Sequence, residues 1–229
     1  MSFVRAAFVA VQAIANHLAN TAPNPSPIEG RYHTDELLIF RIAPQVFEVE
    51  QPLVWILAIL EIATIFSSNG LIPVSPAIQL LVCPAPNIRL TAPFVAGVML
   101  VLLSTATLLH CYRILGRHFT YHLTIRDKHE LITSGLYNYV RHPSYSGTLM
   151  LIAGIPLSHI TSGSWLAECG FVNPSGVFMI VVWSVWWVWG FIACARRAQA
   201  EDAQLRKVFG EKWDEYAERV PCWFIPGLL

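Results

Sequence analysis

The stretch "FVNPSGVFMIVVWSVWWVWGFIACA", Phe171 to Ala195, runs for 25 residues without one Lys, Arg, Asp or Glu. About 20 consecutive apolar residues suffice for a helix to cross the hydrocarbon core of a bilayer, so this segment is long enough to span. Thr91–Tyr112 and Gly147–Ala167 are equally free of charge, and Pro52–Ile72 carries one, Glu61. The whole chain of 229 residues is 55% hydrophobic and 13% charged, where soluble domains carry about 25% charged residues. It reads as an all-α, polytopic membrane helical bundle of about five transmembrane helices, with a cytoplasmic C-terminal helical tail.

The first apolar segment, Ser2 to Ala19, is read as the first of those spans. The alternatives are a signal peptide, with Arg5 ahead of Ala6–Ala15 and the small residues "ANTA" as its cleavage region, and a short interfacial helix, since Gln12, Asn16 and His17 are polar. The five cysteines show no CxxC or other metal spacing. Net charge is zero, so nothing points to nucleic acid. The arrangement of charge says more. Five of the fifteen Lys and Arg residues lie between Arg113 and Arg141, and six between Arg196 and Arg219. The positive-inside rule places both regions in the cytoplasm. Two apolar segments join them, and two crossings return the chain to its starting side. The Pro-rich loop "GLIPVSPAIQLLVCPAPNIRLTAP" then falls on the lumenal side and the segment Pro23–Gln51 on the cytoplasmic one.

Chemistry concentrates in two places. The first is "GLYNYVRHPSYSG", Gly135 to Gly147. Pro143 suits the first turn of a helix, where its missing donor is not needed, and it keeps His142 out of helical conformation. The expected result is a helix N-terminus at the membrane surface, with free N–H groups near Ser144 and Tyr145 that attract an anion. Gly147 admits a close backbone or ligand. An interfacial anchor of Arg and Tyr is the plainer reading. The second place is "RRAQAEDAQL", where Arg197, Glu201 and Leu205 recur every four residues on one helix face. A routine ion pair on a solvated helix is the plain account. Its position directly after an apolar span favours a functional one. Beyond it, Leu205, Val208 and Phe209 form one apolar stripe and Trp213, Tyr216 and Val220 another, separated by Gly210. His118 and His122 have the i, i+4 spacing of a metal pair, but no Cys or carboxylate completes a set, so no metal is expected. Glu61 is an acid within a span and is given no role.

Together, "KHELITSGLYNYVRHPSYSG", the apolar hairpin and "RAQAEDAQLRKVFGEKWDEYAERVP" resemble the isoprenylcysteine carboxyl methyltransferase family of the endoplasmic reticulum. The resemblance covers Phe119 to Gly227. It implies transfer of a methyl group from S-adenosylmethionine to the C-terminal carboxylate of a prenylated cysteine, in the processing of prenylated CAAX proteins. It also implies a multi-pass protein of the endoplasmic reticulum membrane with a cytoplasmic C-terminus. The chain would divide into N-terminal membrane spans, residues 1–112, and a catalytic region, residues 113–229. Carried over residue by residue, the cofactor would be bound by Thr124, His129, Glu130, Leu131, Ile132, Tyr137, His142, Pro143, Ser144, Tyr145 and Glu201. Arg197 would grip the substrate carboxylate.

A sulfonium methyl and a carboxylate need no general base, and the sequence offers no obvious one. No glycine-rich dinucleotide turn follows a strand-like run, which argues against a soluble-type methyltransferase fold. Three rival readings have different consequences. A phospholipid N-methyltransferase would leave Arg197 no carboxylate to hold. A sterol reductase shares the tail "FGEKWDEYAERVPCWFIPG" but not the "RHPSY" run. A transporter or scaffold predicts no cofactor binding.

Overall fold

The computed structural model describes residues 2–21, 23–24, 43–72, 87–120, 130–172 and 177–228. Among these there is no strand. Five long helices, α1 (Phe3–Asn20), α2 (Ala43–Ser68), α3 (Ala92–Leu115), α4 (Pro143–His159) and α6 (Val177–Phe209), are joined by short α5 (Trp165–Glu168) and followed by α7 (Glu211–Arg219). Among the described residues, three stretches are long and apolar enough to cross a membrane: Gln45–Ser68, Ala92–His118 and Met179–Phe209. This is a helical membrane protein.

Two expected spans differ in extent. The second begins not at Pro52 but at Ala43, with Pro52 inside α2. A proline in mid-helix removes one backbone donor, which membrane helices tolerate because neighbouring groups re-satisfy the freed carbonyl. The fourth does not reach Ala167. It starts at Pro143 and stops at His159, because Gly163 turns the chain at φ +85° and Ser164 caps α5 by accepting from Ala167 N–H at 3.3 Å. At 1.5 Å per residue, the 17 residues of α4 rise about 26 Å, just under the roughly 30 Å hydrocarbon core. Helix α6 is instead continuous for 33 residues, about 50 Å, so its final turns must project beyond the bilayer. Gly210, at φ +55°, then separates α6 from α7 as the sequence pattern implied.

Helices α3 and α4 pack closely over their whole length because small residues face each other. A Cβ on Gly97 would lie 2.6 Å from the Gly154 carbonyl oxygen, and one on Gly147 2.9 Å from Leu108 Cγ. The close approach anticipated at Gly147 is therefore by a neighbouring helix. Ser104 Oγ fixes it by donating to the Gly147 carbonyl at 2.6 Å. Helix α1 packs on α2 and α3 through Val9, Ala13, Val54, Ala58, Phe94 and Val98.

Helix α1 also carries a buried cation. Arg5 is fully buried and pairs with Glu61, 1% exposed, at 2.6 Å. Its Nη1 donates to the Arg89 carbonyl at 2.5 Å, and its guanidinium lies 3.8 Å from the centre of the Phe94 ring. The second Glu61 oxygen accepts from Trp165 N–H at 3.0 Å. Glu61 thus ties α1, α2 and the α4–α5 turn together at one end of the bundle.

Candidate active site

At the opposite end the "GLYNYVRHP" stretch folds into a tight loop against α3. Gly135 sits at φ +65°, and a Cβ there would come within 2.9 Å of His110 Nε2. The positive φ favours glycine here, and a Cβ would also force the Ile114 and His110 side chains to shift. A 3-10 turn, Gly135–Asn138, follows and buries Tyr137. The Tyr137 hydroxyl hydrogen-bonds to Cys111, and its carbonyl accepts from Tyr216 Oη at 2.7 Å. Burial pushes the Tyr137 phenol well above its ordinary value, so it is a neutral donor and not a base.

The next two residues pair with the chain terminus. Arg141 N–H donates to the Cys222 carbonyl and His142 N–H to the Trp223 carbonyl, both at 2.9 Å. Pro143 then opens α4, as its chemistry requires. The Tyr145 N–H is already taken by the His142 carbonyl at 3.1 Å. That correction narrows the expected anion site at the helix start, where a free Tyr145 donor was anticipated.

These elements surround a cavity of about 180 Å³. Its polar end is lined by Glu130, Leu131, Ile132, Tyr137, His142, Ser144, Tyr145, Arg197 and Glu201. Nine of the twelve residues singled out from the sequence therefore share one cavity. Pro143 is buried as the first residue of α4 and does not line the cavity. Thr124 and His129 lie outside the described residues, as does His122. The apolar end is formed by Leu108 of α3, Leu151 and Ile152 of α4, and Trp189, Gly190 and Ala193 of α6. A Cβ on Gly190 would lie 2.6 Å from Ile152 Cδ1, so α4 and α6 meet there in direct contact.

Within the cavity the Arg197 guanidinium donates to the Tyr145 hydroxyl, with Glu201 close by. His142, 4% exposed, lies between two carboxylates, with Nδ1 3.2 Å from Glu201 Oε2 and Nε2 2.7 Å from Asp202 Oδ1. Burial works against the imidazolium, but the hydrogen bonds and charges of Asp202 and Glu201 outweigh it and raise His142 from 6.5 to about 9. A raised value means that the folded state holds the proton more tightly than the unfolded one. The stability His142 contributes is fully present below pH 6.5 and is lost as pH climbs through about 9. The expected result is a melting temperature that falls between these limits in wild type and changes less in His142→Gln. Equal pH dependence in both, by thermal scanning fluorimetry, would contradict the assignment.

Sequence reasoning passed over Asp202. The acidic pair Glu201–Asp202 was visible, one turn beyond Arg197, but its partners are His142, 60 residues away, and Trp223. Only the adjacency of the two acids could have signalled it.

Residues 97–167 match the model of the isoprenylcysteine carboxyl methyltransferase (ICMT) family. The match contains the whole Gly135–Gly147 run and ends before α6. Fold and site thus place the chain among helical membrane proteins that resemble this methyltransferase family. Among individual relatives, protein-S-isoprenylcysteine O-methyltransferase B of Arabidopsis thaliana is 35% identical over 108 residues, 46% of this chain and 46% of that protein. A probable protein-S-isoprenylcysteine O-methyltransferase of Oryza sativa subsp. indica is 33% identical over 107 residues, 46% of this chain and 47% of that one. The chain spans about half the length of these relatives. The delta(14)-sterol reductase TM7SF2 of Mus musculus is 30% identical over 97 residues, 42% of this chain and 19% of the reductase. The resemblance read from the C-terminal motifs is borne out.

Proposed function

We propose that this protein is an S-adenosylmethionine-dependent protein-S-isoprenylcysteine O-methyltransferase that esterifies the C-terminal carboxylate of prenylated CAAX proteins. The observation that carries the reading is the shared cavity. Arg197 and Glu201 from α6 stand beside His142, Tyr137 and Tyr145 at its polar end, and an apolar wall continues toward the spans. When bound, S-adenosylmethionine supplies an electrophilic methyl on a sulfonium, so a carboxylate acceptor has no proton to lose.

The donor set suits that cofactor. Glu130 and Glu201 offer acceptors for ammonium and ribose hydroxyl groups, and the rings of Tyr137, Trp213 and Tyr216 offer faces to a purine. Glu130, Leu131, Ile132, Tyr137, His142, Ser144, Tyr145 and Glu201 are the residues that would hold it, with Pro143 fixing the turn behind them. Thr124 and His129 complete the proposed set. Arg197 presents paired N–H donors that match a carboxylate, and the Tyr145 hydroxyl orients the guanidinium. Alignment and exclusion of water then supply the rate enhancement. The apolar wall suits a prenyl chain entering from the bilayer.

The same reading covers organisation and place. Helices α1, α2, α3, α4 and α6 would make five spans. Residues 1–112 would form the N-terminal membrane part and residues 113–229 the catalytic region. The cavity end and the C-terminus would face the cytoplasm, in the endoplasmic reticulum membrane. Two observations support this orientation. Basic residues crowd the cavity end, and Cys169, at the other end of the α4–α6 connection, is disulfide-bonded, a state that persists in oxidising compartments.

The test uses detergent-solubilised protein and methyl-labelled S-adenosylmethionine, with N-acetyl-S-farnesylcysteine and phosphatidylethanolamine offered in parallel. Base-labile methyl ester on the farnesylcysteine is expected. Stable N-methyl lipid would move the protein to the phospholipid N-methyltransferases. Absence of cofactor binding by folded protein would remove the enzyme reading. Glu201→Ala and His142→Ala are each expected to weaken cofactor affinity about tenfold, the order of one lost charge-assisted hydrogen bond. Unchanged affinity in both would dissolve the pocket.

A further inference from the structure

The C-terminal tail is bound to the cavity wall through one carboxylate. Asp202 Oδ1 meets His142 Nε2 at 2.7 Å. Asp202 Oδ2 accepts from Trp223 Nε1 at 3.0 Å and forms an ion pair with Arg141 Nη1 at 3.1 Å. Around it the tail pairs with the loop by backbone, as described, and Arg141 Nη2 donates to the Pro221 carbonyl at 3.2 Å. Ser146 Oγ donates to the Phe224 carbonyl at 2.6 Å, and Phe224 is buried against Cys194, Ala198 and Tyr145. Asp202 itself does not line the cavity.

We infer that Asp202 is a positioning residue: it holds His142 in its doubly protonated form beside Glu201 and latches the C-terminal tail to the loop that carries His142. The inference rests on the reading of the cavity as a cofactor site. The geometry carries it. Both ring nitrogens of His142 face carboxylate oxygens, and a neutral imidazole has only one N–H to give. With one nitrogen deprotonated, a lone pair would point at a carboxylate within 3.2 Å on one side or the other. The groups around the ring agree with a cation there. Glu201 and Asp202 approach from α6, Tyr145 from α4 with ring centroids 5.6 Å apart, and Arg141 from the adjoining position. Tyr137 faces Glu201 from the 3-10 turn and Tyr216 faces Asp202 from α7, while Arg197 of α6 lies beside Glu201 and Tyr145. The raised titration of His142 is consistent with this arrangement.

Asn cannot replace Asp202. An amide presents one acceptor and one NH2, so it cannot satisfy His142, Arg141 and Trp223 together. Glu retains the charge. Trp223→Phe removes one bond to the tail and leaves the carboxylate beside His142. Cofactor affinity would be measured against pH in full-length protein for all four forms. In Asp202→Asn the pH at which affinity falls is expected to move down by about one unit or more, equivalent to at least about a tenfold change in protonation. Asp202→Glu should regain at least half of that shift, and Trp223→Phe should keep the wild-type midpoint while melting at lower temperature. An unmoved midpoint in Asp202→Asn, or an equal shift in Trp223→Phe, overturns the inference.

A measurement on wild-type protein alone guards against variants that do not fold. In histidine-selective 15N spectra at pH 8, His142, assigned by comparison with His142→Gln, is expected to show two protonated ring nitrogens. One protonated and one bare nitrogen would overturn the inference. This readout needs no cofactor. A protein that fails to bind S-adenosylmethionine yet shows the imidazolium would refute the proposed function and leave the role of Asp202 standing.

Discussion

Arg197→Ala is expected to abolish methyl-ester formation, by at least about 100-fold in kcat/KM, while cofactor affinity stays within about threefold of wild type. The separation follows from the position of the side chain. Arg197 reaches Tyr145 and the shared cavity from α6, in the turn before Glu201, and a guanidinium has only donors to offer. It can grip a carboxylate through two parallel hydrogen bonds, but it repels a sulfonium. Its loss therefore removes the acceptor's orientation and leaves the residues proposed for the donor in place. Arg197→Lys keeps the charge without the planar fork, so it should recover only part of the rate. Binding by equilibrium dialysis, beside ester formation on N-acetyl-S-farnesylcysteine, reads both quantities. An equal loss of binding and catalysis would assign Arg197 to the cofactor.

Glu61→Ala and Arg5→Ala should each destabilise the protein severely, by about 3–5 kcal/mol, the usual penalty for leaving one charge of a buried pair without its partner. For a chain of this size that is a fall in melting temperature of roughly 10 °C. Arg5→Ala removes the larger set of contacts, because the guanidinium serves Glu61, the Arg89 carbonyl and the Phe94 ring, whereas the two Glu61 oxygens serve Arg5 and the Trp165 N–H. Replacing both charges with apolar residues of similar size, as in Arg5→Met with Glu61→Leu, should recover much of the loss, since it leaves no uncompensated charge. The pair lies far from the cavity. Arg5 and the cavity-lining Asn20 are 15 residues apart along α1, roughly 22 Å at the helical rise. Variants kept folded by low temperature should therefore retain cofactor affinity. Unchanged melting in both single variants would show that the pair does not hold the bundle together.

Local information in the chain was enough for several features. Uncharged runs longer than a bilayer is thick can only be helices in lipid, because every backbone polar group must be satisfied within the segment. That fixes the helical class, and Pro143 and Gly210 mark a helix start and a break by their backbone chemistry alone. The i, i+4 spacing of Arg197 and Glu201 is a property of any helix, so their common face was legible too. Extents were less so. Pro52 looked like a start and lies inside α2, and the apolar run from Gly147 to Ala167 hid a turn at Gly163, since hydropathy does not register φ.

What only the tertiary structure decided are the partnerships between distant segments. Arg5 and Glu61 are 56 positions apart and His142 and Asp202 60 apart. Read singly, Arg5 was the charge ahead of an apolar run, Glu61 an acid without a role, and Asp202 a neighbour of Glu201. Burial turned each into part of a joint, because a charge taken out of water must find its opposite or a hydrogen bond. Sequence shows which groups need a partner. Only the packing of α1 on α2, and of the tail on α4 and α6, determines which partner each one meets.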